Sequence, residues 1–185
     1  MENLNELRNE LSVKAKNGID FILAATLIWI AITIIWTLGY NSFYKSILSL
    51  FATGLLFPLA LAFSKLLKTN WKIKDNSLQP LSIWLNVAQF FYFPFLIFVL
   101  VKMPDYFIMT FAIITGAHFF PYSWLYKTKW YAIFAGIIVL GALSLGLCLE
   151  VGKIYLIPLC VTSMLVIMFL ILHNDARLKA AGNTK

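Results

Sequence analysis

Six apolar runs divide the chain, at 19–38, 46–63, 80–101, 106–126, 130–149 and 154–172. Each is near the roughly 20 residues that a helix needs to cross about 30 Å of hydrocarbon. In lipid such runs must be helical, because every backbone N–H and C=O needs a partner within its own segment. A membrane β-barrel would require short segments of alternating hydrophobicity, and the chain has none. The pattern predicts an all-α fold, a polytopic transmembrane helical bundle of six spans over 19–172. A polar segment at 1–18 precedes it and a polar tail at 173–185 follows it.

Composition sharpens this. Of the 185 residues 61% are hydrophobic and 12% are charged, about half the charged share of a soluble domain. A water-soluble globule of that composition has too little polar surface, and a disordered chain is polar and charged. The lipid bilayer is therefore an expected partner. The net charge is +7. In a soluble protein that would raise nucleic acid, but here the basic residues sit between apolar runs, and no nucleic-acid partner is expected.

The distribution of charge predicts direction. Arg8, Lys14 and Lys16 precede the first run, and Lys65, Lys68, Lys72 and Lys74 follow the second. Lys127 and Lys129 follow the fourth, and Arg177, Lys179 and Lys185 lie in the tail. The other side carries only Lys45, Lys102 and Lys153. The positive-inside rule then places both termini in the cytoplasm.

Segment 1–18 has Leu4, Leu7 and Leu11 at helical spacing, with Glu10 and Lys14 as an i,i+4 pair. It predicts a short amphipathic helix on the inner surface. Asn17-Gly18 would end it and Asp20 would cap the first span. Its polarity and glutamates (Glu2, Glu6, Glu10), and the length of the first apolar run after it, do not resemble a cleavable signal peptide. Trp36, Tyr40, Trp71, Tyr106, Trp124, Tyr126, Trp130, Tyr131 and Tyr155 fall near predicted span ends, as in an interfacial aromatic belt.

The second and fourth runs share a faint pattern: Thr53-Gly54, Phe57-Pro58 and Lys65 against Thr115-Gly116, Phe120-Pro121 and Lys127. It hints at a duplicated helical hairpin. Pro58, Pro94, Pro121 and Pro158 predict local bends. Gly136, Gly141 and Gly146, with Ala132 and Ala142, predict close helix approach on the fifth span, within the bundle or between protomers.

Candidate chemistry lies in the third and fourth spans. Asn86, Gln89 and Tyr92 share one helical face, and Thr115, His118 and Tyr122 another. The spans meet at the tight turn Lys102-Met103-Pro104, so antiparallel neighbours are expected. Counted from that turn, Gln89 falls level with His118, Tyr92 with Thr115, and Asn86 near Tyr122. A polar ladder follows. As glue it supplies interhelical hydrogen bonds of about 0.6 kcal/mol each. As a site it makes a polar cavity in which His118 both donates and accepts. Asp20, at the inner edge of the first span, is a secondary candidate.

No carboxylate is expected mid-membrane, which weighs against a proton-coupled pump. The motifs H-E-x-x-H, G-x-S-x-G and the Walker loop are absent. No catalytic residue is identified, and no metal set or cofactor is expected. Cys148 and Cys160 read as buried apolar side chains, and a bridge between them stays open.

Two stretches carry a resemblance. They are Lys14-Ala15-Lys16-Asn17-Gly18-Ile19-Asp20-Phe21-Ile22-Leu23-Ala24-Ala25 and Gly116-Ala117-His118-Phe119-Phe120-Pro121-Tyr122-Ser123-Trp124-Leu125-Tyr126. Both resemble segments of an uncharacterised family of small six-span bacterial membrane proteins. The resemblance implies a bacterial plasma membrane and no activity. The expected function is a multi-pass membrane protein, permease-like or sensing a small-molecule ligand, with a polar site between spans three and four. Two alternatives stay open. One is a non-catalytic structural or regulatory subunit that meets a second copy or a partner membrane protein. The other is an intramembrane enzyme.

Overall fold

The computed structural model describes residues 3–74 and 76–182. Glu2 and Lys185, used above, lie outside them. Helix α1 spans Leu4–Lys14. Asn3 caps it by accepting from the Asn5 N–H, and Lys14 meets Glu10 at 2.5 Å. It ends as the Asn17-Gly18 pair predicts: Lys16, Asn17 and Gly18 take φ of 47°, 56° and 71°. Only glycine suits position 18, because a Cβ there would also stand 3.0 Å from the Tyr126 Oη.

Helix α2, Ile19–Thr37, starts directly from this elbow. Asp20 does not cap it, contrary to expectation. The left-handed Gly18 occupies the cap position without a side-chain bond, and Asp20 lies inside the first turn. Helices α3, Ser42–Thr53, and α4, Leu56–Leu67, form a pair bent by 40°. The cause is Pro58, which cannot donate to the Gly54 carbonyl and crowds it. The third apolar run divides likewise into α5, Gln79–Ala88, and α6, Phe93–Lys102, around a 3-10 turn at Gln89–Tyr92. Here Pro94 withdraws the donor that Phe90 would use.

Helix α7, Phe107–Leu125, continues through Pro121. The two stretches of the faint repeat therefore fold differently, one broken at its glycine and one continuous. Helix α8 is Trp130–Cys148. Helix α9, Leu156–Gly182, runs a further ten residues beyond the apolar run that ends at Leu172. Five stretches are long and apolar enough to cross a membrane, and the count becomes six if the bent α3–α4 pair is one span. Among the described residues there is helix, turn and loop, and no strand.

The core lies between α2, α7, α8 and α9. Gly116 of α7 admits α8 so closely that a Cβ would stand 2.8 Å from Ile138. Trp29 of α2 stacks on Phe111 of α7 at 5.2 Å. Polar bonds tie α2 to its neighbours, with Thr33 Oγ1 3.1 Å from Thr162 Oγ1 and Trp36 Nε1 donating to Ser49 Oγ at 3.1 Å. Trp36, Tyr126 and Tyr131 are consequently buried, and the aromatic-belt expectation fails for them. It suits Tyr40, Tyr106 and Trp124, which are exposed. The α5–α6 stretch is the loosest: α5 has no fully buried residue and α6 buries only Leu96, Val99 and Leu100. The outward faces are apolar, with Leu140, Leu147, Phe51 and Phe91 all exposed, as lipid contact requires.

Candidate functional site

A cavity of about 80 Å³ lies where α2, α5 and the 3-10 turn after it face α7. Its walls are mostly apolar, with Trp29, Phe111 and Phe119 among them. Five of the six side chains singled out in the third and fourth spans line it: Asn86, Gln89, Thr115, His118 and Tyr122. Tyr92 does not line it and is 49% exposed. Tyr92 ends the 3-10 turn and caps the start of α6, so it belongs to the junction between the two helices.

The polar groups converge without bonding across the helices. The Tyr122 hydroxyl lies 3.4 Å from His118 Nε2, within one helix, and the two rings meet edge to face at 5.3 Å. Asn86 Nδ2 donates to the Ser82 carbonyl of its own helix at 2.9 Å. The Gln89 side chain has no hydrogen-bond partner among the described residues, and the buried Thr115 Oγ1 has none either. The expected ladder of direct interhelical bonds is thus replaced by a gap with polar groups around it. A space of this size holds several waters or a compact ligand.

Asp20 stands apart from these five. It is 1% exposed and accepts hydrogen bonds on Oδ2 from Thr69 Oγ1, at 2.7 Å, and from the Trp71 indole. The segment after α4 has folded back over the start of α2. A second cavity, of about 290 Å³, opens beside it. Gly18, Phe21, Asn86 and Tyr126 line both cavities.

Below them is a clasp that the linear pattern did not reveal. Asn17, fully buried, accepts from Ser12 Oγ at 2.6 Å through Oδ1 and donates from Nδ2 to Asp175 Oδ2 at 2.9 Å. Its carbonyl accepts from the Tyr131 hydroxyl at 2.6 Å. Lys179 bridges Asp175 at 2.8 Å, Ser12 Oγ at 3.0 Å and the Tyr126 carbonyl at 3.0 Å. The stretch from Ser12 to Asn17 and the last turns of α9 therefore meet at one end of the bundle. The one sequence signal was the i,i+4 spacing of Asp175 and Lys179.

Among the described residues no group of three or more His, Cys, Asp or Glu side chains is placed to hold a metal. Cys148 is exposed, and both cysteines are free. Cys148 is thus a correction to the buried position expected for it, since the α8 terminus faces outward.

A family model described as a family of unknown function (DUF7010) matches residues 4–175. This agrees with the resemblance to an uncharacterised family. No curated protein and no solved structure matches the chain.

Proposed function

We propose, for a chain that belongs to this family of unknown function, a six-span membrane protein that binds a small ligand between its helices, as a permease-like or sensing bundle. The site is the cavity around His118. Both termini lie in the cytoplasm, and the membrane is a bacterial plasma membrane. The observation that carries the proposal is Thr115 Oγ1: a buried hydroxyl without a partner, on the wall of a cavity shared with His118, Gln89, Asn86 and Tyr122. Leaving such a group unpaired costs about 1–3 kcal/mol, and a bound polar molecule removes that cost. The basic residues around the end where Lys179 meets Ser12 support the orientation.

The test starts from Cys148→Ala, Cys160→Ala, with Asn86→Cys added. In intact membranes a small water-soluble thiol reagent modifies the new cysteine, and a polar compound that protects it also raises the melting temperature of the unmutated protein. His118→Ala abolishes that rise while the protein still folds. An unreactive Asn86→Cys in a folded protein overturns the site. A reporter fused after Lys185 that reads as extracytoplasmic overturns the orientation.

The alternative of a structural or regulatory subunit has one observation in its favour. A Cβ on Gly136 or Gly141 of α8 would meet nothing within 4 Å, so this face is open to another helix.

A further inference from the structure

We propose that the second cavity, beside Asp20, binds an organic ammonium group. It adjoins the space around His118 through Gly18, Phe21, Asn86 and Tyr126, and the proposal stands whether or not that space is a site.

A carboxylate removed from water is expensive unless a positive charge accompanies it. Asp20 is 1% exposed, its hydrogen-bond donors Thr69 and Trp71 are neutral, and it forms no ion pair among the described residues. The start of α2 offsets part of the cost, because a helix N-terminus favours negative charge. It does not fill the space: the cavity of about 290 Å³ has Asp20 on its wall. Lys72 lines the same cavity from an exposed position without pairing with Asp20. Among the described residues no cation of the chain is paired with the carboxylate.

The remaining walls suit an organic cation rather than a metal ion. Phe21 stacks on Trp71 at 5.0 Å and meets Phe57 edge to face at 5.9 Å. Phe21, Phe57 and Trp71 all line the cavity, and aromatic faces attract ammonium groups. The Ser82 hydroxyl donates to the Gln79 carbonyl and keeps its lone pairs for an ammonium N–H, while the Gln79 amide is held by the Ile73 N–H and the Trp71 carbonyl. A carboxylate and aromatic side chains around one cavity are the chemistry that recognises a primary or quaternary ammonium carried on an apolar body. The ammonium comes either from a free amine or from the headgroup of an ethanolamine lipid.

The full chain is placed in nanodiscs of phosphatidylglycerol alone. Melting temperature is followed against phenethylammonium and against its uncharged analogue phenethyl alcohol. The ammonium is expected to stabilise the protein and the alcohol not to. Asp20→Asn, which keeps the shape of the side chain, is expected to weaken the ammonium by at least about tenfold, as loss of a charge-assisted bond does. Nanodiscs containing phosphatidylethanolamine separate the two sources. A free-amine site responds to phenethylammonium there as before. A lipid-headgroup site is already stabilised by the lipid and gains nothing more. Equal effects of ammonium and alcohol overturn the proposal, as does an Asp20→Asn variant that behaves like the unmutated protein in both lipids. If Asp20→Asn does not fold, the comparison of charged and uncharged probes on the unmutated protein decides alone.

Discussion

Thr115 concentrates the tension between an apolar bundle and a polar atom. Its Oγ1 is buried without a partner, so Thr115→Val removes a desolvated group at nearly constant shape. The empty protein is expected to gain about 1 kcal/mol, a rise of about 2–4 °C in melting temperature for a chain of this size. Any ligand-dependent stabilisation through the cavity is expected to fall. A drop in the melting temperature of the empty variant would mean that the hydroxyl is already satisfied. The polar face of α7 was legible in advance, because Thr115, His118 and Tyr122 keep helical spacing in a continuous helix. Tyr92 was not, because it caps α6 after a break in the third apolar run, and spacing alone does not place that break. Nor was the setting of Asp20. Its depth comes from Thr69 and Trp71, which lie 49 and 51 residues away in the chain.

At the level of elements, proline decides where apolar runs break. Pro58 and Pro94 each lie in a first turn that follows a break, whereas Pro121 sits inside a helix that continues. The presence of proline was readable, but not which one would interrupt its helix. Helix α1 shows how a surface helix is held. Arg8 Nε donates to the Trp124 carbonyl at 2.7 Å. Asn76 Nδ2 donates both to Glu10 Oε2, at 2.8 Å, and to the Leu7 carbonyl, at 2.9 Å. Hydrogen bonds from Lys14 and Asn76 hold the Glu10 carboxyl below its ordinary value of 4.5. A carboxyl depressed in the folded state contributes stability above its unfolded pKa, and that contribution is lost as pH falls through the folded one. Docking of α1 is therefore expected to be steady near neutrality and to loosen as pH falls below 4.5 and through the lowered folded value. Hydrogen exchange or limited proteolysis of α1 across that range measures it. Glu10→Gln should be looser at neutral pH and show a flatter dependence. An unchanged pH profile in that variant would show that another group governs the docking.

Across the whole molecule, glycines of similar appearance have opposite roles. Gly116 lets α7 and α8 touch, and Gly146 lies against the side chain of Met109, whereas Gly136 and Gly141 face open space. Gly116→Leu is expected to destabilise the protein by about 1–3 kcal/mol through overpacking. Gly136→Ala is expected to be neutral or to stabilise by up to about 1 kcal/mol through helix propensity. Thermal unfolding of both variants in one detergent tests this, and a loss of stability at Gly136 would show that the open face is packed against another chain. The helical class and the presence of several long apolar helices follow from the linear pattern, because each apolar run must satisfy its backbone locally wherever its neighbours lie. The cavity around His118, the burial of Asp20, the clasp of Asn17 on Asp175 and Lys179, and the choice among glycines depend on helices distant in sequence coming together. Side-chain surroundings are relations between segments, and only the folded chain supplies them.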